Sequence, residues 1–203
     1  NYTGGSLSLF SLDAKGCIHA REAVLKFEGK GSNKERQEKS YLHYSIFSPD
    51  GNYLLADDLG TDKVYSFPVH EKVPYIQQAE RIDNPVRPGS GPRHLCFHPN
   101  GKWAYLINEL SGAVIFFTYQ EGHLQEKQSI QADEVGAQGS ADIHLSPDGR
   151  FLYASNRLQN DGIATFSVSE ATGELKKVAY QHTGRHPRNF MITPNGRYLL
   201  GAC

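Results

Sequence analysis

Apolar and polar side chains alternate along most of this chain, and helical spacing is absent. Arg150-Phe151-Leu152-Tyr153-Ala154-Ser155 and Ile163-Ala164-Thr165-Phe166-Ser167-Val168 are rich in aromatic and β-branched residues. Neither shows an i, i+3, i+4 stripe, so both predict strands. The pattern is punctuated four times, at Ser48-Pro49-Asp50-Gly51, His98-Pro99-Asn100-Gly101, Ser146-Pro147-Asp148-Gly149 and Thr193-Pro194-Asn195-Gly196, with proline spacings of 50, 48 and 47. Proline presets φ at the first corner of a turn, Asp or Asn tolerates the second, and glycine supplies the positive φ that closes a hairpin. Each unit reads as an apolar run, the turn, an alternating run, a polar loop and a second alternating run, which predicts four antiparallel strands. One small sheet cannot bury both its faces alone. A four-stranded unit at a period of about 40 to 50 residues is therefore the signature of a β-propeller blade.

The expected fold class is all-β, a β-propeller present as one partial domain over 1–203. It divides into a blade remnant (1–28), three blades (41–82, 92–130 and 140–183) and a partial blade (187–203). Asn1-Tyr2 reads as the tail of a strand, and the opening remnant and closing partial blade contribute two strands each. That makes about four blades' worth, fewer than a closed ring usually needs. The chain reads as a piece of a larger propeller whose remaining blades are its structural partner. Residues 28–40 are glycine-, serine- and charge-rich without an apolar period. They form a loop that is either a solvated connection or an overhang above a site.

Composition narrows the partners. Twenty-one Lys and Arg balance 22 Asp and Glu, so no basic surplus points to nucleic acid. No apolar run approaches the roughly 20 residues of a membrane-spanning helix, and no charged-then-apolar leader opens the chain. Cys17, Cys96 and Cys203 are odd in number and widely spaced, which signals neither a disulfide framework nor a zinc site and fits a cytoplasmic setting. Cys96, between Leu95 and Phe97, reads as a small core residue. The fingerprints of nucleophilic serine, nucleotide-binding and metal sites are missing, so no cofactor and no metal are expected.

Hairpin geometry locates candidate chemistry. The residue before a first strand and the residue after a second strand lie at the same end, opposite the turn. If first and second strands are the inner ones, one mouth of the channel collects His43, Arg93-His94 and Arg188 from first strands. Second strands add Asp57-Asp58, Asn108-Glu109 and Asn156-Arg157. Arginines, histidine and carboxylates converging in a concave site suit a small anionic substrate. Each has a structural alternative: His94 flanks an apolar strand, Asp57, Asp58 and Asn156 can satisfy loop backbone groups, and Arg93 and Arg157 can pair with carboxylates of neighbouring blades.

Asp58-Leu59-Gly60-Thr61-Asp62-Lys63-Val64-Tyr65, Gly91-Pro92-Arg93-His94-Leu95 with Phe97-His98-Pro99-Asn100-Gly101, Asn108-Glu109-Leu110 and Ser155-Asn156-Arg157 together resemble the seven-bladed lactonase family. That family includes bacterial propeller-type 6-phosphogluconolactonases and fungal carboxymuconate cyclases. The resemblance implies a catalytic set of His43, Arg93, Glu109 and Arg157, with Arg188, His94 and Asp58 in substrate binding. It departs at Tyr41, where the family shows the first His of a Pro-His-x-His motif. The implied activity is hydrolysis of a sugar lactone, most readily 6-phosphogluconolactone, within carbohydrate metabolism. His43 or Glu109 would serve as base, Arg93 would hold the oxyanion, and Arg157 or Arg188 the substrate's anionic group. A lactone-forming cycloisomerase and a non-catalytic interaction platform are the competing readings. Four blades' worth of strands would leave the site open on one side, so the 203-residue piece alone is expected to be inactive.

Overall fold

The turn tetrapeptides organise the architecture. Their glycines, Gly51, Gly101, Gly149 and Gly196, take left-handed φ values of 75°, 70°, 74° and 66°. Each donates its N–H to the carbonyl of the first turn residue at 2.8 to 2.9 Å. In three turns the first residue's hydroxyl also donates to the Asp or Asn side chain, as Ser48 Oγ does to Asp50 at 2.6 Å. Gly101 approaches Pro49, Gly149 approaches His98 and Gly196 approaches Pro147. Successive turns therefore gather at one end of the molecule.

The computed structural model describes residues 1–203. It is all-β, and its one helical element is a three-residue 3-10 turn, Gln78–Glu80. Strands β1 (Ser6–Leu12) and β2 (Ile18–Lys26) form a two-stranded sheet. Three four-stranded antiparallel meanders follow: β3 (Leu42–Phe47) to β6 (Ile82–Pro85) by way of β4 (Tyr53–Asp58) and β5 (Lys63–Pro68); β7 (Pro92–Phe97) to β10 (His123–Gln131) by way of β8 (Trp103–Asn108) and β9 (Ala113–Gln120); and β11 (Ile143–Leu145) to β14 (Leu175–His182) by way of β12 (Phe151–Asn156) and β13 (Gly162–Val168). β15 (Asn189–Ile192) and β16 (Leu199–Ala202) close the chain as a hairpin. Asn1 to Gly5 departs from the strand tail expected of it. The Asn1 ammonium donates to the Ser6 carbonyl at 2.8 Å and Gly5 sits at φ 53°, which curls the segment into a turn.

The first strands β3, β7 and β11 pack beside one another, which places them along the inner edge of the array. Second and third strands depart from simple alternation. Leu54 to Asp58 and Ala104 to Asn108 are buried at every position, because each middle strand has a sheet on both faces. Three apolar layers result. Phe27, Tyr65 and Phe67 fill the first, Leu55, Leu106 and Phe117 the second, and Tyr105, Phe116 and Phe166 the third. Tyr105 keeps its hydroxyl satisfied by donating to the Gly173 carbonyl at 2.8 Å. Beyond the first and last sheets Ile18 and Leu200 remain exposed.

One residue breaks the layer. Asp57 is buried on β4 beside β7, and neither carboxylate oxygen has a hydrogen-bond partner. Burial pushes its carboxyl well above the usual range, and the corresponding residue of the next sheet is the core residue Ile107. An acid whose folded pKa exceeds its unfolded one imposes no penalty below about pH 4, and a growing one as pH rises. Asp57→Val should therefore stabilise the fold by about 1 to 3 kcal/mol at pH 7, with the gain shrinking toward pH 4 in denaturant titrations. A variant less stable than the parent at pH 7 would show that Asp57 has a structural role the packing does not reveal.

Candidate active site

The end opposite the turns is built from bulges. On β3 the pairing passes from Leu42 with Asp58 to Tyr44 with Asp57, and on β7 from Pro92 with Asn108 to His94 with Ile107. His43 and Arg93 are thus the unpaired residues. A bulge of this kind re-aims a side chain out of the pleat. Counting back five positions from the first residue of each turn puts His43, Arg93, Ala141 and Arg188 at equivalent places. Tyr44, His94, Asp142 and Asn189 occupy the next.

Glu109, directly after β8, is the centre of an arginine cluster. Its Oε2 accepts from Arg93 Nε at 2.9 Å and faces Arg157 Nη2 at 3.4 Å, while its Oε1 accepts from Arg36 Nη2 at 2.5 Å. Arg93 is locked further by donation of Nη1 to the Ala141 carbonyl at 2.5 Å, and Arg157 by donation of Nε to Gly139 at 2.8 Å. Burial pulls Arg93 down to about 10, opposed by the charge of Glu109 and assisted by that of Arg157; it stays protonated at neutral pH. Arg188 is exposed, and its charge contributes to the depression of His43, Arg93 and Arg157. Three guanidiniums thus hold one carboxylate, and the charge of a fourth acts on two of them.

Below the cluster a chain of side chains crosses the inner strands. The Tyr44 ring lies 4.6 Å from that of His94, His94 Nδ1 is 2.7 Å from Asp142 Oδ1, and Asn189 Nδ2 donates to Asp142 Oδ2 at 2.7 Å. Arg93 Nη1 stands 3.2 Å from His94 Nε2. Because guanidinium only donates, Nε2 must accept, and the proton belongs on Nδ1 toward Asp142. Burial would raise the Asp142 carboxyl, but hydrogen bonds from His144 and His94 outweigh it and hold the group well below its ordinary range.

The structure brings Arg93, Glu109 and Arg157 into one cluster, with His43 at its edge 5.1 Å ring to ring from His94. Three expectations change. His43 is not poised near neutrality: burial, then the charges of Arg93, His94 and Arg188, drive it down to about 2, and its Nδ1 is buried without a partner. Such an imidazole is unprotonated but a feeble base. Asp58 is fully buried and its carboxylate accepts from Ser40 Oγ (2.6 Å), Tyr41 N (2.7 Å) and Gly60 N (2.9 Å), so it shapes the mouth's backbone and cannot reach a substrate. His94 is turned between Arg93 and Asp142, with both ring nitrogens engaged. Tyr41 stacks on Tyr2 at 4.8 Å and donates to Glu38 at 2.9 Å.

Two residues escaped the sequence reading. Arg36 lies in the loop over 28–40, where strand periodicity says nothing of side-chain direction. Asp142 was legible in principle, since it stands at the repeat position of His94.

Because the Asp142 carboxylate also accepts from His144 and from the Ile143 and Phe190 amides, Asp142→Asn should cost about 2 to 4 kcal/mol at pH 7. A depressed carboxyl stabilises above its unfolded pKa and loses that contribution as pH falls through its folded one. The gap between parent and variant should therefore narrow below about pH 4. Equal unfolding midpoints at pH 7 would remove Asp142 from the frame of the site.

Known proteins resemble this chain along its whole length. The 6-phosphogluconolactonase of Formosa agariphila is 44% identical over all of the chain and that of Bacillus subtilis 38%; the chain spans 59% and 58% of their lengths. The crystal structure of a Bacteroides fragilis relative superposes with a TM-score of 0.95 at 52% identity, and that of the periplasmic gluconolactonase of Pseudomonas aeruginosa with 0.89 at 34%. Both cover the full chain, which spans 59% and 58% of them. The model of the lactonase family of seven-bladed β-propellers matches residues 1–203, and the chain belongs to that family.

Proposed function

We propose that the protein carrying this chain hydrolyses 6-phosphogluconolactone to 6-phosphogluconate. The observation that carries the reading is the charge of the mouth, where Arg36, Arg93 and Arg157 meet on the carboxylate of Glu109 and the charge of Arg188 acts on Arg93 and Arg157. Such a surplus suits a substrate that brings a phosphate and develops an oxyanion. The names of the two bacterial 6-phosphogluconolactonases support the same substrate class. The remaining blades of a larger propeller and a cytoplasmic setting belong to this proposal, the latter resting on three unpaired cysteines.

A lactone is an activated ester, so no covalent nucleophile is needed. Water attacks the carbonyl carbon and passes a proton to Glu109, the carboxylate within the cluster. Arg93, rigid and buried, stabilises the oxyanion from a fixed position, which is worth a few kcal/mol in comparable sites. When the oxyanion collapses, the ring carbon–oxygen bond breaks and the ring oxygen takes the proton. Arg157 shares the developing charge, and the exposed Arg188 holds the anionic tail. His43, neutral across the working range, packs and orients at the rim.

Kinetics in the full-length protein, corrected for spontaneous hydrolysis, test these roles. Arg93→Lys keeps charge but loses the fork and should lower kcat with little change in KM, whereas Arg188→Ala should chiefly raise KM. Equal effects on both constants would merge the two roles, and unaltered kinetics in both would leave the arginines structural.

The pH dependence offers a separate check. A histidine base near its ordinary pKa of about 6.5 would give an acid limb that vanishes in a His43→Gln variant. With the folded pKa lowered, parent and variant should share one profile between pH 5.5 and 8. Loss of a limb on substitution would restore His43 as the base.

A further inference from the structure

The three guanidiniums that touch Glu109 are not equivalent. Arg93 and Arg157 are 2% and 5% exposed at the side chain and share Oε2, whereas Arg36 is 37% exposed and alone occupies Oε1. Its backbone is fixed. Asn33 Oδ1 accepts from the amides of Glu35 and Arg36, and the Gln37 amide closes the turn onto the Asn33 carbonyl at 2.8 Å. Buried Gln37 then pins the loop, donating Nε2 to the Leu59 carbonyl and to Asp62 Oδ1 at 2.8 Å each. Asp62 also accepts from the Gly89 and Gly91 amides, just before Arg93. A rigid neck thus carries a half-exposed side chain whose one ion pair is with Glu109 and whose other neighbour is the Tyr2 hydroxyl.

We propose that Arg36 is a phosphate-responsive gate that determines specificity, masking Glu109 Oε1 until the phosphate of the lactone draws the guanidinium away. The proposal rests on the lactone-hydrolase reading of the same cluster. A phosphate dianion is the stronger partner for a guanidinium that is already partly in solvent, since it offers more charge and the same bidentate geometry. Release of Arg36 leaves Oε1 as the one Glu109 oxygen with no ion pair, free to accept the proton of the attacking water. Oε2 stays with Arg93 and Arg157 and keeps the carboxylate in place. Phosphate recognition and base availability then become one event, so a phosphorylated lactone opens its own site and an unphosphorylated lactone meets a masked base.

The test compares 6-phosphogluconolactone with unphosphorylated gluconolactone in the full-length protein. The parent should prefer the phosphorylated substrate. Arg36→Gln should lower kcat/KM for it and raise kcat/KM for gluconolactone, so that the ratio of the two falls at least about tenfold, the effect of one charge-assisted contact. Arg36→Lys, which keeps a charge on the loop without the fork, should give a ratio between the two, a graded result that misfolding cannot produce. Inorganic phosphate added in trans should accelerate gluconolactone hydrolysis by the parent and not by Arg36→Gln. A parent inactive on both lactones would defeat the hydrolase reading itself. A parent active on the phosphorylated lactone, with Arg36→Gln slowing both substrates equally, would overturn the gate alone.

Discussion

The ion pair between Arg93 and Glu109 is the interaction on which the mouth depends. Both groups are nearly removed from water, and desolvation of two such charges costs more than one contact returns unless the remaining donors and acceptors are also satisfied. Here they are: Arg93 reaches the Ala141 carbonyl and His94, and Glu109 reaches Arg157 and Arg36. The partners come from the sheet of β7–β10, the sheet of β11–β14 and the loop over 28–40. The pair therefore ties the relative positions of two sheets and one loop to a single charge arrangement, and breaking it would leave a buried charge uncompensated.

The same economy of repeats explains both stability and site. Each sheet buries its faces against neighbours, which makes the middle strands apolar throughout, while the inner strands meet along one axis where polar side chains can touch. Bulges at His43 and Arg93 turn equivalent positions of successive sheets toward that axis. The repeat thus assigns one residue per sheet to an equivalent position, bulged at His43 and Arg93, whose identity changes from His to Arg to Ala to Arg along the chain. At the Ala141 position it is the backbone carbonyl that takes part, receiving the Arg93 guanidinium.

Much of this was legible in the residues. The four turns, the strand grammar and the end at which Arg93, Glu109 and Arg157 meet follow from Pro-Asp/Asn-Gly chemistry and hairpin geometry, which are local or repeat by rule. Protonation was not legible. His43 looks like a base in sequence and becomes a feeble one only because burial and three neighbouring charges act on it together. Asp58 looks like a rim carboxylate and is instead consumed by Ser40, Tyr41 and Gly60. Arg36 lies 73 residues from the carboxylate it touches, in a loop whose composition says only that it is polar. Contacts made through irregular backbone depend on the folded path of the loop, and no periodicity encodes it.

The most direct measurement is a crystal structure of the full-length protein with 6-phosphogluconate bound. The product should lie at the end opposite the Pro-Asp/Asn-Gly turns, its new carboxylate against Arg93 and Arg157 and its phosphate against the exposed guanidiniums. Product bound at the turn-bearing end, or at the mouth without touching Arg93, would contradict that placement.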